Sequence, residues 1–217
     1  LHTLILYNAL PRLDIGNFPA LKRFQLKSLH FSDVHKLGDG TEASSINVLS
    51  DFALQLASSS VEVRMGEDGF FAIREVPQGL LMPTLQALLP LRHLFQDVTS
   101  LCLDKVEVPD EGSLALLSSL FGSLASLKLY VTASSVSRGL SCMSFLERWG
   151  SLTDLVLFVH AVPSDCLFTL HCAGVQRRPF VMSLVALNIA CQDRVQLIAD
   201  QWQVWQLIHP HVCLKVF

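Results

Sequence analysis

Cys166, His171 and Cys172 carry thiolate and imidazole groups of the kind that bind zinc, and with a fourth ligand from elsewhere they would complete a tetrahedral site. On a helix spanning Asp165 to Cys172 the three need not share a face, so packing is the expected role. His209 and His211 flank Pro210 at a helix-to-strand junction, where an imidazole ordinarily caps carbonyls or faces solvent instead of moving protons. Carboxylates are paired at Glu67-Asp68 and Asp110-Glu111, as general acid-base chemistry uses them. Both pairs fall in turns or at helix starts, where a carboxylate solvates a loop or favours the helix dipole. The chain contains no Walker loop, HExxH or GxSxG motif and no cysteine pair at CxxC spacing. Gly38-Asp39-Gly40 reads as a loop, Arg177-Arg178 as a solvated doublet, and Trp149, Trp202 and Trp205 as core anchors at helical spacing. The expectation is a chain with no catalytic residue, no metal ligand and no cofactor.

Composition bounds what remains. Of 217 residues, 51% are hydrophobic and 16% charged, which supports a large core and excludes a disordered chain. A formal net charge of -3 gives no electrostatic case for nucleic acid or anionic membrane as the main partner. Mean hydropathy is high at +0.43, yet no apolar run reaches the roughly 18 residues of a spanning helix. The chain opens at Leu1 without Met or a signal peptide, so a fragment is expected. Cys102, Cys142, Cys166, Cys172, Cys191 and Cys213 sit mostly in apolar runs and read as free thiols in a reducing compartment, cytoplasmic or nuclear.

The elements that position any site follow from a recurring pattern with apolar residues at the first, fourth and sixth places. It occurs at Leu1-Leu4-Leu6, Leu21-Phe24-Leu26, Val98-Leu101-Leu103, Leu124-Leu127-Leu129, Leu152-Leu155-Leu157 and Leu184-Leu187-Ile189. Weaker copies fall at Val61-Val63 and Leu214-Val216. Such recurrence is the signature of leucine-rich repeats, here irregular. The place where ordinary repeats carry Asn or Cys holds Ala9, Leu29, Val106, Thr132, His160 and Gln192. Asp68-Gly69 predicts a hairpin turn, with Phe70 to Pro77 as an excursion from the array. Between copies the apolar period becomes helical, as in Ile46-Leu49-Phe52-Ala53-Leu56 with Ser44 or Ser45 as N-cap. Further helices are expected after Pro83, Asp110 and Ser137 and before Pro210.

Strand and helix alternating with one hand predict a single α/β domain over residues 1 to 217. Its expected form is a leucine-rich-repeat-like solenoid, with a curved parallel sheet on the concave face and helices on the convex face. The motif positions point inward, so the residues between them line the concave face. The candidate protein-binding residues there are Arg23, Gln25, Lys27, Arg64, Asp104, Lys128, Tyr130, Asp154, Val156, Phe158 and Asn188. Ile5, Tyr7, Glu62, Cys102 and Ala190 belong to the same row, basic early and aromatic late.

The pattern resembles the C-terminal leucine-rich portion of F-box proteins, whose irregular repeats close on an acidic residue, a tryptophan-bearing helix, a proline and a short strand. Asp200, Trp202, Leu207, Pro210, Val212, Leu214 and Val216 carry that resemblance, and Phe145, Leu146, Trp149, Leu152, Leu155 and Leu157 repeat its helix-to-strand hinge. The resemblance implies a non-catalytic substrate-recognition module of a cullin-type ubiquitin ligase. It would bind a protein substrate and reach the adaptor and cullin through an F-box preceding Leu1. The alternatives are a leucine-rich scaffold or sensor domain unrelated to ubiquitin, and an α/β enzyme.

Overall fold

Along Ser100–Asp104 and Asp154–Val159 half-exposed and buried residues alternate to the end of each strand, and this makes the sheet two-sided there. The computed structural model describes residues 2–7, 17–31, 42–77, 79–106, 110–131, 148–159, 179–207 and 210–217. Among these residues ten strands and four helices follow one another as β1 (Thr3–Leu6), β2 (Arg23–Leu26), β3 (Ser28–His30), α1 (Glu42–Ser58), β4 (Glu62–Met65), β5 (Phe70–Arg74), α2 (Leu81–Leu88), β6 (Ser100–Asp104), α3 (Glu111–Leu120), β7 (Ser126–Val131), β8 (Asp154–Val159), β9 (Phe180–Ala186), α4 (Ile189–Gln206) and β10 (Val212–Val216). A 3-10 segment, Leu89–Phe95, continues α2.

Among the described residues every strand pairing is parallel, which requires the chain to cross back between strands, and α1 to α4 each lie on such a crossing. Strands order as β1-β2-β4 in one sheet and β3-β5-β6-β7-β8-β9-β10 in the other. Because β2 runs into β3 past Lys27, and β4 runs into β5 past Gly66 to Gly69, the two sheets meet along adjacent broken strands. With β2 and β3 taken as one broken strand and β4 and β5 as the next, the order follows the chain with no reversal. Among the described residues β1 and β4 end the smaller sheet and β3 and β10 the larger, each with a strand neighbour on one side only.

The motif leucines build the buried face. Leu101, Leu103, Leu127, Leu129, Leu155 and Leu157 are buried and lie opposite one another in register. One hydrophobic cluster joins them to Leu49, Phe52 and Leu56 of α1, Leu85 and Leu88 of α2, Leu114 and Leu117 of α3, and Ile198 and Trp202 of α4. Phe71, Phe95 and Phe121 meet at its centre, with ring centroids 4.9 to 6.2 Å apart. Asp110 caps α3 by accepting from the Ser113 amide at 2.7 Å. Leu29 and Val106, where ordinary repeats carry Asn or Cys, are themselves buried. α1 opens at Glu42, so Ser44 and Ser45 stand inside it and not at its N-cap as the sequence suggests. The helix after Ser137 and Cys166, His171 and Cys172 lie outside the described residues.

Two further sequence expectations are corrected. Phe70 to Arg74 is no excursion: it is β5, paired in parallel with β3 and β6 inside the larger sheet. The turn itself exists, since Glu67 and Phe70 exchange both backbone hydrogen bonds, and Asp68 and Gly69 take positive φ of 50° and 76°. Those are the signs a type I′ turn requires, but the chain then resumes its direction instead of returning along β4.

The last repeat copy was misplaced. β9 puts Met182 opposite Leu155 and Leu184 opposite Leu157, so the true copy is Pro179-Met182-Leu184. Leu187 is 36% exposed and Ile189 already opens α4.

Candidate functional site

One face of the sheets is the buried face, and the other carries the polar and aromatic residues. All the candidate residues except Asn188 fall on this open face. Asn188 lies beyond β9, exposed, and its carbonyl accepts from the Gln192 amide in the first turn of α4. Its removal follows from the corrected phase of the last strand, and Ala190, inside α4, leaves the row with it.

The early part of the face sits on β1, β2 and β4. Arg23 Nε lies 3.1 Å from Glu62 Oε2, and Arg64 Nε 3.7 Å from Glu62 Oε1. Lys27 pairs with Glu67 and lies over the Tyr7 ring, 4.2 Å from its centroid. The Glu67 hydrogen bond is the main reason the Lys27 ammonium titrates above its ordinary range. Gln25 donates to the Gly66 carbonyl at 2.7 Å. What reads in the sequence as a basic row is therefore matched by carboxylates: Glu62 of β4 serves both Arg23 and its strand-mate Arg64, and Glu67 in the turn after β4 serves Lys27. Beside it an open cleft of about 520 Å³ is lined by Gln25, Arg64, Glu67, Asp68, His93 and Asp97, among others.

The later part sits on β5 to β8. Tyr130 and Phe158 are register partners, and their rings stack with centroids 4.6 Å apart and planes 12° apart. Lys128 lies between Cys102 and Val156 in the row beneath. Asp154 accepts from the Thr153 hydroxyl at 2.7 Å. Asp104, at the end of β6, is the register partner of Arg74. Burial, and then the Asp104 carboxylate, push both the Tyr130 phenol and the Cys102 thiol above their ordinary ranges. Cys102 and Cys213 are free thiols.

At the ends of β5 and β6, Glu75 and Lys105 both take positive φ, 54° and 51°, and turn the chain out of the sheet at the same level. Their side chains meet at 2.8 Å, and His30 Nε2 lies 3.4 Å from the same carboxylate. That hydrogen bond raises the Lys105 ammonium.

Arg74 was missed by the sequence reading because β5 had been set aside as an excursion. The available signal was the apolar run Phe70-Phe71-Ala72-Ile73 closing on Arg74, the length of a buried strand, and Phe71, Ala72 and Ile73 are all buried. Among the described residues no three His, Cys, Asp or Glu side chains group to hold a metal ion, and no helix is long and apolar enough to cross a membrane.

No family model matches this chain, and comparison with curated proteins and with solved structures returns no significant match. The functional reading therefore rests on the face itself: a rigid parallel sheet presenting stacked aromatics and charged groups.

Proposed function

We propose that the chain is a leucine-rich-repeat-like solenoid that works as a non-catalytic protein-binding module, the substrate-recognition part of an F-box type ubiquitin ligase. The observation that carries this reading is the strand order. Among the described residues, parallel strands follow chain order without reversal and the helices join the core on one face, which leaves the other for binding. A doubly wound sheet, in contrast, reverses its order and places its ligand at that reversal. The stacked pair Tyr130–Phe158 supplies the aromatic anchor type that dominates protein interfaces. The F-box part of the proposal rests on the closing pattern. In support, Asp200 and Trp202 fall within α4, and Val212, Leu214 and Val216 within β10, with Pro210 between.

The test is affinity purification of the full-length protein from cells with the proteasome blocked, as wild type and as Tyr130→Ala/Phe158→Ala. Recovery of a cullin and its adaptor with both forms, and of further proteins with the wild type alone, is the expected result. Loss of cullin from both forms, with the other partners retained, would assign the chain to a scaffold or sensor instead. Partners unchanged by the double substitution would move the binding site off this face.

A further inference from the structure

The cations of the open face fall into two sets. Arg23, Lys27, Arg64 and Lys105 each have a carboxylate partner. Arg74 and Lys128 do not: among the described residues neither makes an ion pair, and the Arg74 Nε is buried without a hydrogen-bond partner. A buried donor left unsatisfied costs free energy, and each such group in a native structure calls for an explanation. Asp104, although in register with Arg74, makes no ion pair with it. Asp104 and Arg74 both act on Tyr130 and Cys102, in opposite directions.

The two unmatched cations stand on β5 and β7 one row apart, Arg74 in register with Asp104 and Lys128 with Cys102, so their backbones are about 12 Å apart on the diagonal across β6. Both charges act on the Cys102 thiol of β6. Directly beside Lys128 lie Val156 and the Tyr130–Phe158 stack, an apolar platform on the neighbouring strands. Asp104 and Asp154 border this tract and repel a continuous run of acids, leaving room for one carboxylate with uncharged neighbours.

We propose that this tract recognises an extended peptide segment carrying a single Asp or Glu beside an apolar side chain. The carboxylate seats against Arg74 and Lys128, and the apolar group lies on the Tyr130–Phe158 stack. The Arg74 guanidinium supplies a planar, charge-assisted fork for the carboxylate, and Lys128 a second point charge. This rests on the reading of the open face as a protein-binding surface, and it names the chemistry that surface selects.

The experiment pans a random peptide library against the chain. Enriched peptides are then synthesised and their affinities measured for wild type, Arg74→Gln, Lys128→Gln and Tyr130→Ala, each checked for an unchanged melting temperature. Enriched peptides are expected to share one acidic residue next to an apolar one. Arg74→Gln should weaken them by about tenfold or more, and changing the peptide acid to its amide should do the same without adding to it. Peptides without an acid, or indifferent to Arg74→Gln and Lys128→Gln, overturn the proposal. If such peptides are still lost on Tyr130→Ala, the face binds protein by other chemistry and only this inference falls. If nothing enriches, or the enriched peptides ignore all three substitutions, the protein-binding reading falls with it.

Discussion

Trp149 donates its indole Nε1–H to the main-chain carbonyl of Phe121 at 2.8 Å, and both residues are buried. They stand at the same place in successive units, Phe121-Gly122-Ser123 and Trp149-Gly150-Ser151, each at the entry to a strand. Ser151 repeats the link by donating to the Leu124 carbonyl at 2.7 Å. The junction of one unit is thus tied by side chain to the junction before it, in addition to the strand ladder.

Trp149→Phe should consequently be far more damaging than Trp202→Phe. Removing the Trp149 indole leaves a buried carbonyl short of its donor, worth about 1–3 kcal/mol, beyond the lost volume. The Trp202 indole N–H is buried with no acceptor, so Phe there removes an unsatisfied group along with the volume. Urea unfolding of both variants checks this; equal costs would contradict it.

Leu127→Ala and Leu155→Ala should each cost roughly 2–5 kcal/mol, because both side chains are fully buried on the inward face. Strands contact mainly their neighbours in order, so the loss should concentrate in β6 to β9. Hydrogen exchange would show protection falling there first, and uniform loss along the chain would speak against stacked units.

Gly66→Ala should destabilise strongly. A Cβ at Gly66 would come within 2.4 Å of the Phe70 carbonyl oxygen, and the residue's φ is +80°. The neighbour is backbone in a tight turn and cannot yield, so both strain and steric overlap oppose the side chain. Thermal unfolding of Gly66→Ala beside Gly79→Ala, whose Cβ would meet nothing within 4 Å, separates steric overlap from the cost of positive φ that the two share.

Tyr130 should titrate above free tyrosine, because burial and then Asp104 disfavour the phenolate. Its folded-state pKa is raised, so its stabilising contribution is complete below the unfolded value of about 10 and is lost as pH climbs through the folded one. The chain has two tyrosines, so a Tyr7→Phe background isolates the signal. Ultraviolet titration should then show ionisation displaced to higher pH, and Asp104→Asn should bring it part of the way back.

Legibility in the sequence followed the strength of the apolar period. Leu21-Phe24-Leu26, Leu124-Leu127-Leu129 and Leu152-Leu155-Leu157 are all buried where the one-four-six pattern puts them. The pattern slid at the last copy because Met182 fills a place that leucine holds elsewhere, while Leu187 and Ile189 imitate the motif five residues on. β5 was lost for a different reason. A local turn signal such as Asp68-Gly69 reports a reversal but cannot say whether the chain then pairs backward or resumes its course. Arg74 was lost with that strand, and so was half of the charge arrangement on the open face. Ion pairing across strands, Arg23 with Glu62 and Lys27 with Glu67, depends on register, which separations of about 40 residues do not reveal.

Among the described residues β1 and β10, first and last in chain order, each turn one row of backbone amides and carbonyls away from any strand neighbour. β10 guards its row with Lys215 in mid-strand, whereas Thr3–Leu6 of β1 has neither a charge nor a proline. An unguarded apolar edge is a template onto which another extended chain can add. Association of this chain in isolation should accordingly rise with concentration and begin at β1. Ile5→Lys, placed at a residue 43% exposed, is the change that would keep it monomeric.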